Sequence, residues 1–140
     1  MPGLLSTISS LALVLSPLVP GTITSCDSTS KFIFNQATLD PPAPLPNQNV
    51  TAMVQFTNNY KLVENGTTTY QINLNGLPYS YSENLCSYNL PCPISLGDHT
   101  VYASPINVTD ITGKLVIKTT YTDIDDTVLL CITVVLKLPN

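Results

Sequence analysis

Val50-Thr51-Ala52-Met53-Val54-Gln55-Phe56-Thr57 is the stretch that decides the fold class. Val50, Ala52, Val54 and Phe56 fall on one side of an extended chain, with Thr51, Gln55 and Thr57 on the other. Successive side chains of a β-strand point to opposite faces, so this period of two marks a strand with one buried face. The pattern recurs in both directions along the chain. Upstream, Phe32, Phe34 and Gln36 alternate with Ile33, Asn35 and Ala37. Downstream, Tyr70, Ile72 and Leu74 alternate with Thr69, Gln71 and Asn73, and Asn75-Gly76 then supplies a favourable hairpin turn. Further strands are expected at His99 to Ala103, Lys114 to Thr122 and Val128 to Leu138. Pro41-Pro42-Ala43-Pro44-Leu45-Pro46 blocks a helix and reads as an extended connector. No segment presents a helical face. About seven strands with turn punctuation predict an all-β, immunoglobulin-like sandwich of two sheets.

A conventional immunoglobulin domain bridges its sheets with two cysteines around a core tryptophan. This chain has no Trp, and its cysteines are arranged differently. Cys86 and Cys92 enclose the tight loop Cys86-Ser87-Tyr88-Asn89-Leu90-Pro91-Cys92, while Cys26 and Cys131 lie near the two ends. An even cysteine count in a small exported chain reads as a disulfide framework, and four cysteines permit three connectivities. Proximity favours Cys86–Cys92, which leaves Cys26 for Cys131. On the loop-entropy model the outer bridge contributes about 4.8 kcal/mol and the inner one about 2.4 kcal/mol. Zinc ligands usually come as tight Cys-x-x-Cys pairs, and none is present.

The start of the chain supports an oxidising compartment. Leu11-Ala12-Leu13-Val14-Leu15 centres an apolar run from Leu4 to Val19, interrupted by Pro17 and too short to span a membrane. Residues 1–25 read as a secretory signal peptide, with cleavage after Gly21 or after Ser25, although no Lys or Arg precedes the run. Residues 26–140 then form one domain. Val128 to Leu138, the next apolar stretch, contains Thr133 and Lys137 and suits a core strand. Asn49-Val50-Thr51, Asn65-Gly66-Thr67 and Asn107-Val108-Thr109 are acceptor triplets for N-glycosylation, so Asn49, Asn65 and Asn107 are candidate glycan sites. The expected location is extracellular, or the lumen of an endolysosomal or vacuolar compartment.

Charge excludes some functions. The formal net charge is -4, the five basic residues are all lysines, and Arg is absent. Phosphate-backbone binding needs a cationic surface, so no nucleic-acid partner is expected. Catalysis has little to work with either. His99 is the sole histidine, expected to lie exposed at a strand start, and no Gly-x-Ser-x-Gly elbow is present. Asp123, Asp125 and Asp126 fit a solvated turn better than a calcium site or a catalytic carboxylate pair. No enzyme activity, metal or cofactor is expected.

The ordered motifs resemble the MD-2-related lipid-recognition (ML) family, which includes Niemann-Pick C2 sterol carriers and phosphatidylglycerol/phosphatidylinositol transfer proteins. Cys26-Asp27 follows the leader, and the proline connector runs into Gln48-Asn49-Val50-Thr51 and the Phe56 strand. Cys86-x5-Cys92-Pro93-Ile94 is followed by Gly97-Asp98. Lys114-Leu115-Val116-Ile117, Tyr121 and Leu129-Leu130-Cys131 complete the set. The resemblance implies bridges Cys26–Cys131 and Cys86–Cys92, and two sheets splayed enough to hold a lipid tail or sterol. Animal sterol carriers of the family have a third, small disulfide near the connector, where this chain has no cysteine. In that respect it is more similar to the two-bridge phospholipid-transfer relatives.

A lipid pocket needs apolar walls and few buried polar groups. The inward strand faces offer Val54, Phe56, Ile72, Leu74, Val101, Leu115 and Ile117, each of which can equally serve as core packing. Tyr79, Tyr81, Ile106, Val108 and Ile111 are the candidate mouth residues, and the resemblance places the Tyr81 segment and the Val108 loop near the entrance. Tyrosine suits an entrance because its ring is apolar while its hydroxyl stays wet. The expected function is a monomeric, secreted or lumenal carrier of a sterol or phospholipid, in transient contact with membranes. Two alternatives stand beside it: a lipid-recognition protein presenting its ligand to a receptor, and a ligand-free adhesive or structural sandwich.

Overall fold

The computed structural model describes residues 19–45, 47–103, 106–108 and 111–139. The apolar heart of the expected leader lies outside these residues. Eight strands and no helix occur among the described residues: β1 (Thr22–Ser25), β2 (Phe32–Asp40), β3 (Thr51–Asn58), β4 (Gly66–Leu74), β5 (Leu77–Asn84), β6 (Gly97–Tyr102), β7 (Gly113–Asp123) and β8 (Val128–Leu138). They form a five-stranded antiparallel sheet in the order β1-β8-β7-β4-β5 and a three-stranded one in the order β2-β3-β6. The strand expected at Val128 to Leu138 is β8, and β3, β6 and β7 lie close to the spans that alternation predicts.

Register converts the sequence pattern into two inner faces. On the smaller sheet, Ala52, Val54 and Phe56 of β3 are buried, with Phe32, Leu39 and Val101 beside them. The alternation expected for β2 does not run through to Gln36. A bulge between Phe34 and Gln36 shifts the register, so Ala37 and Leu39 continue the inner face while Gln36 pairs with Gln55 outside. On the larger sheet, Leu115 lies opposite Leu136, Ile117 opposite Val134 and Tyr121 opposite Leu130. The same rows continue into β4 as Leu74, Ile72 and Thr68.

Cys26 pairs with Cys131 and Cys86 with Cys92, with Cα atoms 5.1 and 5.2 Å apart. Both bridges follow the expected connectivity. The outer one extends the β1–β8 ladder, where the Cys26 amide donates to the Cys131 carbonyl. At the opposite pole, Pro44 of the connector is fully buried and the Pro42 carbonyl accepts from Gly21.

Two polar groups inside the sandwich fix the pole that carries the small disulfide loop. Asn58, 1% exposed, donates to the carbonyls of Lys61, Ile94 and Ser95 and accepts from the Tyr60 amide. The sequence places Asp123 in a solvated turn, but the side chain is buried. One carboxylate oxygen caps the Ile124 amide, and the other, otherwise without a hydrogen-bond partner, faces Lys61 Nζ at 3.1 Å. Asp125 and Asp126 remain in the exposed turn. Partnering by Lys61 is what makes a buried carboxylate tolerable here.

Candidate functional site

The two sheets approach each other most closely along one side. Their strand Cα atoms come within 8 Å of each other only where β2 meets β1 and β8. At the far edge of the larger sheet, β5 is exposed at all eight positions. The smaller sheet therefore closes one side of the sandwich and leaves the β4–β5 side open.

Local sequence explains how β5 comes to line that opening. Asn75 and Gly76 both take positive φ, 53° and 90°, which is the two-residue turn that Asn-Gly favours. This turn sets Leu74 opposite Leu77, Ile72 opposite Tyr79 and Tyr70 opposite Tyr81. Directly opposed residues share a face, so Leu77, Tyr79 and Tyr81 extend the inner face of β4. They remain 73%, 63% and 44% exposed. Pro78 sits on this edge strand, where a missing backbone N–H costs no internal ladder bond.

The sequence candidates separate into groups. Phe56, Val54, Val101 and Leu115 are buried in the closed part of the core. Ile72, Leu74 and Ile117 are partly buried and pack against that core from the open side. Tyr79 and Tyr81 stand at the lip. Val108 is 1% exposed and belongs to the core, while Ile106 and Ile111 pack against it. Ile106 bridges to Val50 by paired backbone bonds. Asn75 ties the neighbouring segment to the β4–β5 turn, donating to the Thr112 carbonyl and accepting from the Lys114 amide. Asn49, Asn65 and Asn107 are exposed.

Sequence reasoning did not single out Leu77, Tyr70, Tyr121 or Glu83 as site residues. The signal for them was the hairpin register, which carries the inner face of β4 onto β5. Tyr70 stacks on Tyr81 with ring centroids 4.8 Å apart, and Tyr79 tilts against Tyr81 at 5.7 Å. The Tyr70 hydroxyl donates to Glu83 Oε1 at 2.9 Å. Burial first, then the Glu83 charge, raises the ionisation of Tyr121 to about 12, and Tyr81 moves in the same direction for the same reasons. Tyr70 is raised by burial and by its hydrogen bond to Glu83. These phenols stay neutral at physiological pH.

A groove of about 490 Å³ runs along the same strands but draws mainly on the outer face, including Gln71, Asn73, Pro78, Ser80, Val116 and Lys118. Its amides, hydroxyl and ammonium suit an alkyl chain less well than the inner lip does. His99, expected to be exposed, is half-buried instead. Its pairing opposite Phe56 stacks the rings at 5.3 Å, and Nε2 lies 2.7 Å from the Ser95 carbonyl. No cluster of His, Cys, Asp or Glu among the described residues is arranged to hold a metal ion.

A family model described as the ML domain matches residues 21–138. The chain belongs to the ML-domain family. Among solved structures it is similar to a Niemann-Pick type C2 protein from Japanese carpenter ant. That match has a TM-score of 0.63 and 15% identity, covering 84% of this chain and 98% of the other. It is also similar to chicken MD-1 complexed with lipid IVa, at a TM-score of 0.54 and 19% identity, covering 88% and 94%. None of the curated proteins compared with the chain matches it. The immunoglobulin-like β-sandwich is thus the shared fold of this ML domain and its structural neighbours.

Proposed function

We propose that this ML domain is a secreted or lumenal lipid-binding protein that takes a sterol or phospholipid between its sheets and exchanges it with membranes. The observation that carries the reading is the uncovered inner face at the β4–β5 edge, with Leu77, Tyr79 and Tyr81 leading inward to Ile72, Leu74 and Ile117. Exposed apolar side chains gathered at the edge of a core mark a binding surface. Membership of a lipid-recognition family supports a lipid as the occupant, as does the bound lipid IVa of the chicken MD-1 structure.

Exchange asks little of such a site. Each buried methylene is worth about 0.8 kcal/mol in protein or in bilayer, so the site has only to match the membrane. An adaptable apolar slot serves this better than a dense polar clamp. The two disulfides fit an oxidising compartment. Cleavage of the leader at or before Gly21 preserves β1, whereas cleavage after Ser25 removes a strand of the larger sheet. The exposed Asn49, Asn65 and Asn107 are accessible for glycans. A non-enzymatic role agrees with a histidine committed to Phe56 and Ser95, and with cysteines held in disulfides.

Native mass spectrometry with lipidomics on protein secreted from eukaryotic cells tests the reading. A stoichiometric sterol or phospholipid, released to acceptor vesicles, is the expected result. Protein that stays empty after incubation with mixed sterol and phospholipid vesicles would overturn it in favour of a packed interaction domain.

A further inference from the structure

We propose that Tyr70, Tyr79, Tyr81 and Glu83 form a receptor for the trimethylammonium group of phosphocholine lipids at the lip of the site. The inference rests on the lipid-binding reading and names the headgroup class. Cross-strand pairing of Tyr70 with Tyr81, Ile72 with Tyr79 and Thr68 with Glu83 puts all four side chains on the inner face of one hairpin. The rings of Tyr79 and Tyr81 are tilted by 44° to each other, and both are substantially exposed. Glu83 is held to the same cluster by the Tyr70 hydroxyl.

Charge decides which headgroup fits. The chain has no Arg, and none of its five lysines lies on this face. Lys118 pairs opposite Gln71 on the outer face, and Lys114 and Lys137 face each other on that side. Lys31 and Lys61 flank a different ring, Tyr60, with Nζ 5.6 and 5.1 Å from its centroid. Tyr60 thus already has its cations, whereas the Tyr70–Tyr79–Tyr81 cluster and Glu83 have none. Aromatic faces beside a carboxylate attract a weakly hydrated cation, and quaternary ammonium is the form such aromatic sites accept. An anionic headgroup meets the Glu83 charge with no base to offset it. The charge that Glu83 imposes on the ionisation of Tyr70, Tyr81 and Tyr121 is consistent with one shared electronegative site. Acyl chains continue inward over Ile72 and Leu74, while the phosphate stays at the open edge in water.

Competition between headgroups on identical acyl chains tests this. The full protein is incubated with vesicles of equimolar dioleoyl phosphatidylcholine and dioleoyl phosphatidylglycerol, reisolated, and its bound lipids are quantified. Phosphatidylcholine is expected to exceed phosphatidylglycerol by about tenfold in the bound fraction. Sphingomyelin, offered in place of phosphatidylcholine, is expected to keep that preference because it shares the phosphocholine group. Glu83→Gln and the double variant Tyr79→Leu/Tyr81→Leu are expected to bring the ratio towards one, and Tyr81→Phe to retain most of it. The ratio is read from whatever lipid is bound, so a change in total uptake does not obscure it. Equal uptake by the wild-type protein, or an unchanged ratio in the double variant, overturns the headgroup assignment and leaves the lipid site standing. Uptake of neither phospholipid overturns the headgroup assignment, and the lipid-binding reading falls with it only if sterol-containing vesicles also leave the protein empty.

Discussion

β8 and β5 belong to the same five-stranded sheet, yet they live in different solvents. Leu129 to Ile132, Val134, Leu136 and Leu138 of β8 are buried, whereas no residue of β5 is. Both strands are antiparallel; β5 pairs with β4 in unbroken register, and β8 pairs with β7 with one bulge near Leu129. What separates them is the width of the smaller sheet, which closes over one side and stops short of the other. In β8 nearly every side chain answers to packing. On β5 the apolar side chains pack on β4 and on one another but stay largely exposed, and that surplus is the physical signature of a site for something else.

If this division is correct, the two strands should respond oppositely to substitution. Leu136→Ala, at a fully buried position, removes packed methyl groups and leaves a cavity. It should cost about 2–5 kcal/mol in urea or guanidinium unfolding. A loss below about 1 kcal/mol would mean that the β8 side is as loosely filled as the lip. Replacing Cys26 and Cys131 with serine removes the covalent tie between β1 and β8 and should cost about 2–4 kcal/mol. An unfolding midpoint equal to that of the wild type would show that β1 is held by its ladder alone.

How much of this contrast could be read beforehand depends on where the information sits. β8 was legible over its whole length because its length and apolarity suit only a core strand. The hairpin was legible too, since Asn75-Gly76 selects its turn and fixes which β4 residue meets which β5 residue. Other features depend on distant partners. The β2 bulge adds one residue to a register, and alternation carries no mark of it. β1 lay hidden inside a segment whose apolar beginning reads as a leader, and its strand character comes from β8 far along the chain. Burial of Asp123 requires Lys61, and the sequence around Asp123 otherwise looks like a wet turn. Among the site candidates, strand parity identified the inner faces correctly as faces. It could not say which part of them the smaller sheet would leave bare.

Alkaline titration sharpens the boundary between the closed and open sides, where Tyr121 sits. Its phenol ionises near pH 12 when folded, against an ordinary value of 10.0, because burial and then the Glu83 charge oppose the phenolate. The unfolded chain therefore loses this proton first. The stability owed to neutral Tyr121 is complete below pH 10 and is lost as pH rises from there towards 12. Unfolding monitored across that window should show a falling midpoint, less steep in Tyr121→Phe. Absorbance near 295 nm should show at least one late phenol that the variant lacks. A titration in which all the tyrosines ionise together near pH 10 would place Tyr121 in water and extend the opening as far as β7.

The smallest effect on stability should come from the lip, and there the comparison is at its most informative. Leu77→Ser changes a side chain that is 73% exposed. Its effect on unfolding should stay within about 0.5 kcal/mol, as for surface positions generally. Lipid uptake from vesicles should nevertheless fall about fivefold, because a leucine that buries itself only against a ligand contributes its transfer energy only when the ligand is present. The reverse pattern, a destabilised protein with unchanged uptake, would make Leu77 an ordinary part of the core and close the open side. A residue that matters to binding and hardly to folding is the behaviour expected of an edge left bare for a partner, and the buried positions of β8 cannot show that combination.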